Sequence, residues 1–248
     1  MIVLGDHQPK RVLARTYDVE NGEAALFNPK LEILPAAQRL VWEDLNQTPR
    51  SFVLYGGTAM ALRLGHRQSI DFDLFSNESF EPSSLLLTLR YLREARTNQR
   101  GDNTLSVVVD RSGPVKISFF GDVRMNRVQD PDLAADNGLQ IASLLDLTAT
   151  KLKTIQQRAE AKDYRDIAAA MEGGISLAEA LAASTAVFGK TFNVMAALKA
   201  LTYFGDGNLP SLPGQIRDHL RTAAERVKLE ALPRIVAKSG IQREDLQR

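Results

Sequence analysis

From Phe52 to Phe75 the chain reads FVLYGGTAMALRLGHRQSIDFDLF. No other stretch limits the fold as tightly. FVLY (52–55) is a short apolar run of strand-forming residues that ends at Gly56-Gly57. TAMALRLG has helical character, with Gly65 placed to stop the helix. IDFDLF (70–75) then alternates, setting Ile70, Phe72 and Leu74 on one face and Asp71 and Asp73 on the other. Strand, helix and strand in this order set an α/β pattern.

The flanking segments extend it. From Pro35 a helix is expected, with Pro35 in its first turn. A second helix follows Pro82, with Leu85, Leu86, Leu89 and Leu92 as its buried stripe. TLSVVVD and VKISFF read as two strands joined by the turn-rich RSGP, a hairpin. Past residue 128 the polar QDPDLAADNG reads as a linker, and beyond it there is almost no strand signal. Helices are expected over LQIASLLDLTATKLKTIQQR, over DYRDIAAAME up to Gly173-Gly174, and from Ser176, where Glu179 completes a capping-box pattern. The expected organisation is an α/β unit over residues 1–128 followed by a helical unit over 129–248. Residues 1–34 carry no assignable pattern, and the tail from Gly214 is amphipathic and slightly basic.

Composition excludes several chemistries. The chain has 248 residues and no cysteine, so disulfides, zinc–thiolate sites and thiol catalysis are out. The three histidines, His7, His66 and His219, are scattered, which directs any metal to oxygen ligands. With 31 basic and 30 acidic residues there is no global basic field, and a nucleic-acid surface would have to be local. One local cluster exists: Arg90, Arg93, Arg96, Arg100, Arg111, Lys116, Arg124 and Arg127 stand against four acids. No apolar run reaches the length of a signal peptide or membrane span, so a cytoplasmic location without membrane contact is expected.

Strand periodicity puts Asp71 and Asp73 on one face with side-chain carbons about 7 Å apart, a spacing suited to sharing a hard cation such as Mg²⁺ or Mn²⁺. The same pattern also serves as the hydrated face of an edge strand. A strand ending in Gly56-Gly57-Thr58 at a helix start can present backbone amides and a hydroxyl to an anion. It is an ordinary turn as well. In the helical half, Lys151 and Arg158 lie seven apart on one helix face, and Asp163 and Asp166 share another. A solvated charged face would look alike.

Taken together, GGT followed after a short helix by R-x-S-x-D-x-D-L resembles the signature of the DNA polymerase β-type nucleotidyltransferase superfamily. In detail YGGTAMALRLGHRQSIDFDLFS resembles the AbiEii/AbiGii toxin family, with Arg67 and Ser69 matching its pattern ahead of the first aspartate. Lys151, and then Lys162, Asp163 and Asp166, match that family's later lysine and K/R-D-x-x-D segment. The resemblance covers roughly residues 50–170. It implies an α+β fold, with a small mixed sheet and helices followed by a helical C-terminal part. It also implies transfer of a nucleotidyl group from an NTP to an acceptor hydroxyl. In that scheme Asp71 and Asp73 hold the metal. Gly56, Gly57, Thr58, Arg67, Ser69, Lys151 and Arg158 bind the nucleotide, and Lys151 neutralises phosphate charge. Asp163 or Asp166 orients or deprotonates the acceptor. The family further implies tRNA as the acceptor, a cognate antitoxin as partner, and a role as toxin of a toxin–antitoxin or abortive-infection pair. A small molecule or protein as acceptor, or an NTP-binding module with impaired catalysis, are the alternatives. One departure is plain: the later strand that carries a third carboxylate in polymerase β-type enzymes has Ser118 at the equivalent position.

Overall fold

The computed structural model describes residues 26–243. The expected units reach outside this range at both ends, over 1–25 and 244–248.

Among the described residues there are eight strands: β1 (Leu26–Phe27), β2 (Val53–Tyr55), β3 (Phe72–Phe75), β4 (Arg96–Gly101), β5 (Thr104–Asp110), β6 (Pro114–Phe120), β7 (Asp132–Ala134) and β8 (Gln140–Ile141). They form one mixed sheet in the order β1-β7-β8-β2-β3-β6-β5-β4. β2 runs antiparallel to β3, and β3 parallel to β6, so the two motif strands sit at the sheet's centre. The expected hairpin is present as β5 and β6, paired from Thr104–Phe120 to Asp110–Pro114. Its alternation has a clear cause. Leu105, Val107 and Val109 with Val115, Ile117 and Phe119 all enter the core.

Eight α-helices accompany the sheet: α1 (Ala36–Asp44), α2 (Gly56–Leu64), α3 (Pro82–Thr88), α4 (Leu144–Thr154), α5 (Ala161–Glu172), α6 (Leu177–Phe188), α7 (Val194–Thr202) and α8 (Gly214–Glu225). Gly65 closes α2 at φ 69°, a left-handed conformation suited to glycine. The capping box at α6 is complete, with the Ser176 and Glu179 side chains each bonded to the other's backbone N–H. Buried apolar side chains form two main cores. One lies on the sheet under α1 and α2, around Trp42, Leu54, Met60, Phe72 and Phe119. The other joins α5 to α6, α7 and α8 around Tyr164, Ile167, Leu181, Leu201 and Leu220.

Two expectations change. Strands do occur past residue 128: β7 and β8 continue the sheet beside β2. They are three and two residues long, too short for a periodic pattern, and side chains from α2 and α1 fix them in place. Arg63 donates to the carbonyls of Ala142 and Ile141 at 2.7 and 2.9 Å and pairs with Asp132 at 2.8 Å, while Trp42 donates to Asp136 at 2.7 Å. Second, β3 begins at Phe72, so Ile70 does not join the buried face and is 55% exposed.

Candidate active site

The end of β2, the start of α2, β3 and α4 surround a cleft of about 770 Å³. Gly56, Gly57, Arg67, Ser69, Asp71, Asp73, Lys151 and Arg158 of the expected site residues all line it, joined by Lys116, Lys153 and Lys162. Asp71 and Asp73 are the only acidic side chains in this lining, and neither takes part in an ion pair among the described residues. Burial and then the neighbouring Asp71 charge raise the Asp73 proton affinity, against the opposing charges of Lys116, Lys151 and Lys162. Two neighbouring carboxylates without a direct ion-pair partner fit a hard divalent cation, which relieves their repulsion. No third acidic or histidine ligand completes a cage among the described residues. Mg²⁺ accepts such a sparse set because it retains waters and substrate oxygens.

Gly56 is the first residue of α2, at φ 77°, and a Cβ there would lie 2.8 Å from Asp73 Oδ2. Only glycine lets the backbone pass this close to the carboxylate. At Gly57 a Cβ would collide with the Arg67 guanidinium. Gly56→Ala is therefore expected to cost about 1–2 kcal/mol through its left-handed backbone and to displace Asp73. Thermal unfolding and NTP-binding titration would show both losses, and an alanine variant matching the wild type in both would refute the close-approach reading.

Thr58 does not line the cleft. Its buried hydroxyl donates to the Asp71 carbonyl and lies 2.8 Å from Ser69 Oγ. It fixes the backbone that presents Asp71 and has no path to a ligand.

Asp163 and Asp166, one helical turn apart on α5, are both fully buried. They form the centre of a charge cluster and stay out of the cleft lining. Lys151 Nζ is 2.7 Å from an oxygen of each. Arg67 grips Asp166 with both Nε and Nη2, at 2.6 and 2.9 Å, and His66 Nε2 adds a contact of 2.7 Å. Arg158 takes Asp163 through Nε and Nη2 at 2.9 and 3.2 Å. Burial by itself would raise the Asp166 carboxyl. The hydrogen bonds from Arg67 and His66 and the charge of Lys151 outweigh it and hold the group well below the ordinary carboxylate range. Asp163 is lowered in the same way, its burial outweighed by Arg158 and Lys151. Carboxylates so occupied are poor proton acceptors. The charges here are also no solvated helix face.

The expected alignment of Lys151 with Arg158 on one helix is corrected. α4 ends at Thr154, and Arg158 reaches the cleft from the following turn because Asp163 holds it. Pairing of Asp73 with Ser118 across β3 and β6 places serine beside the carboxylate pair, where its hydroxyl meets Ser106 Oγ at 3.3 Å. Lys116 and Lys153 were not singled out for the cleft from sequence. For Lys116 a signal existed: it stands two residues before Ser118 on one strand, hence on the same face.

A pH dependence follows from the lowered carboxyls. Their stabilisation is complete above about pH 4, the ordinary carboxylate range. It is lost as pH falls through the depressed folded-state values. Denaturant unfolding followed at pH 6, 4 and 3 should show stability constant at first and then dropping. A flat profile to pH 3 would contradict the cluster's contribution.

The sequence pattern of the family described as nucleotidyl transferase AbiEii toxin, type IV toxin–antitoxin system, matches residues 40–234. An uncharacterized protein of Aquifex aeolicus (strain VF5) is 34% identical over 118 residues, covering 47% of this chain and 55% of that protein. The chain thus spans about half the length of this curated relative. Among solved structures, the nucleotidyltransferase toxin MenT4 of Mycobacterium tuberculosis H37Rv superposes with a TM-score of 0.57 at 14% identity, covering 78% of this chain and 83% of that one. An antigenic nucleotidyltransferase-like protein of Paracoccidioides brasiliensis gives 0.51 at 17% identity, covering 83% and 98%. At these identities the likeness establishes a shared fold.

Proposed function

The chain belongs to the AbiEii family of nucleotidyl transferase toxins of type IV toxin–antitoxin systems, and from that premise we propose that it transfers a nucleotidyl group from an NTP to a hydroxyl of tRNA. The observation that carries this reading is the cleft itself, where two unpaired carboxylates face a set of fixed cations. Asp71 and Asp73 would hold Mg²⁺ or Mn²⁺, which when bound supplies charge neutralisation at the triphosphate.

The chain's own residues do the rest. The backbone amides of Gly56 and Gly57 open α2 toward the phosphates. Lys151 and Arg158, fixed by Asp163, and Arg67, fixed by Asp166, offer positive charge where the phosphates gain negative charge. Pre-fixing these arms removes the cost of ordering them during the reaction. The acceptor oxygen bonds to the α-phosphorus while the α–β bridging P–O bond breaks and pyrophosphate departs. The hydroxyl proton goes to water ordered by the Asp71–Asp73 pair, because those two carboxylates would hold the metal and Asp163 and Asp166 are committed to their cations. Asp163 and Asp166 act as positioning residues in this scheme, and so does Thr58. Of the two expected units, the first brings Gly56, Gly57, Asp71 and Asp73 to the cleft and the second brings Lys151 and Arg158. A cognate antitoxin is the expected partner in the cell. No single helix among the described residues is long and apolar enough to cross a membrane.

Incubation with each α-labelled NTP, Mg²⁺ and total tRNA tests the proposal, with label expected in tRNA. Label confined to protein or to a small molecule would overturn tRNA as acceptor. Ser118 supports a second reading, an NTP-binding module with impaired catalysis. That reading would be favoured by NTP binding without transfer to any acceptor.

A further inference from the structure

The scheme above uses the cleft on the Gly56 and Lys151 side of the carboxylate pair and leaves the rest of that sheet face without a task. Strand registers define the face. Asp73 pairs with Ser118, Ser118 with Ser106, and Ser106 with Gln99. One step along, Lys116 pairs with Val108 and Val108 with Arg96. Directly paired residues project to the same side, and the alternate residues of β5 and β6 are spent on the core. Two rows therefore lead from the aspartates across β6 and β5 to β4 at the sheet edge. Ser118 and Ser106 are nearly fully buried and form a polar floor, whereas Lys116, Gln99 and Arg96 are exposed. Neither Lys116 nor Arg96 has an ion-pair partner among the described residues. The acid further along β5 on this face, Asp110, is turned into the hairpin, where it accepts from the Gly113 N–H at 3.0 Å. Every residue of β4 is exposed.

We propose that this shelf carries a nucleic-acid acceptor, as a single strand laid across β6, β5 and β4 with phosphates on Lys116 and Arg96 and its 3′ hydroxyl delivered to Asp71 and Asp73. The proposal rests on the nucleotidyl-transfer reading and adds to it the route by which the acceptor enters. Lys116 and Arg96 stand two strand spacings apart, about 10 Å at the backbone, and long flexible arms at that separation suit successive phosphates of an extended strand. Val108, half-buried, is the one apolar side chain in the two rows. A polypeptide acceptor would be served by an apolar centre with a polar rim, and the shelf has the reverse character. Lys116 itself lines the cleft beside Asp71 and Asp73, so an acceptor arriving over β6 reaches the carboxylate pair.

The test is fluorescence anisotropy of a labelled single-stranded RNA with a free 3′ hydroxyl, titrated without NTP over a salt series. Wild type, Arg96→Gln and the control Arg226→Gln, an exposed arginine at the end of α8, are compared. Loss of one phosphate contact should weaken binding roughly five-fold near 0.1 M salt and reduce the slope of log K against log salt by about 0.7 in Arg96→Gln. Arg226→Gln should match the wild type. The proposal is overturned if wild type binds no RNA, if Arg96→Gln keeps affinity and slope, or if both variants lose equally. Label passing from NTP to polypeptide in place of this RNA would overturn it too. NTP binding with Mg²⁺ is measured separately and should be the same in wild type and Arg96→Gln. A wild type that binds no NTP defeats the nucleotidyl-transfer reading by its own readout, whatever the RNA does.

Discussion

Asp73→Asn is expected to lower nucleotide transfer about 10³-fold or more while leaving thermal stability unchanged or raised. The rate loss corresponds to about 4 kcal/mol of transition-state stabilisation, the scale of a lost metal-held charge clamp. Stability should move the other way because burial and the Asp71 charge both disfavour the ionised Asp73 side chain in the folded protein. A neutral amide of the same shape removes that penalty, as is common where function is set against stability. Label transfer from NTP and a thermal melt, made on one preparation, check both halves. A variant that still transfers label at the wild-type rate would remove the carboxylate pair from the chemistry. A variant that melts much earlier would mean Asp73 holds the fold together.

Asp166→Ala should do the reverse, with destabilisation as its primary effect. Lys151, Arg67 and His66 all converge on this buried carboxylate. Deleting it leaves cations in a desolvated place with Asp163 to share. Breaking one partner of a buried pair costs about 3–5 kcal/mol, which for a chain of this size is roughly 10 °C in melting temperature. Activity should also fall, since Arg67 and Lys151 lose their fixed positions. Thermal melts of Asp166→Ala and Asp166→Asn distinguish charge from packing. The asparagine variant keeps the shape, so it should recover only a small part of the loss. Wild-type melting in both variants would show that the cluster contributes nothing to the fold.

The strand–helix–strand motif was legible because its instructions are local. Gly56 and Gly65 occupy left-handed positions, Phe72 and Leu74 alternate with the aspartates, and the Ser176–Glu179 cap spans one helical turn. Patterns of this kind complete themselves within a few residues. β7 and β8 were not legible because strands of two or three residues have no period; bonds from Arg63 and Trp42, far away in sequence, hold them. β4 escaped for another reason. RTNQRG has no buried face to write an apolar alternation.

The candidate site divides along the same line. Residue types and spacing alone determined that a strand leads through a glycine pair into a helix, that two carboxylates stand two residues apart where the next strand starts, and that a lysine and an acidic pair follow in a helical region. Only the tertiary structure decided what the second acidic pair does. Asp163 and Asp166 looked like free carboxylates able to take a proton, and burial against Lys151, Arg67, Arg158 and His66 makes them anchors for the cations that line the cleft. It likewise turned Thr58 inward and brought Lys116 to the aspartates through the register of β3 and β6. The physical reason is that a side chain's charge state and partners depend on what surrounds it in space, and those neighbours come from segments up to a hundred residues away.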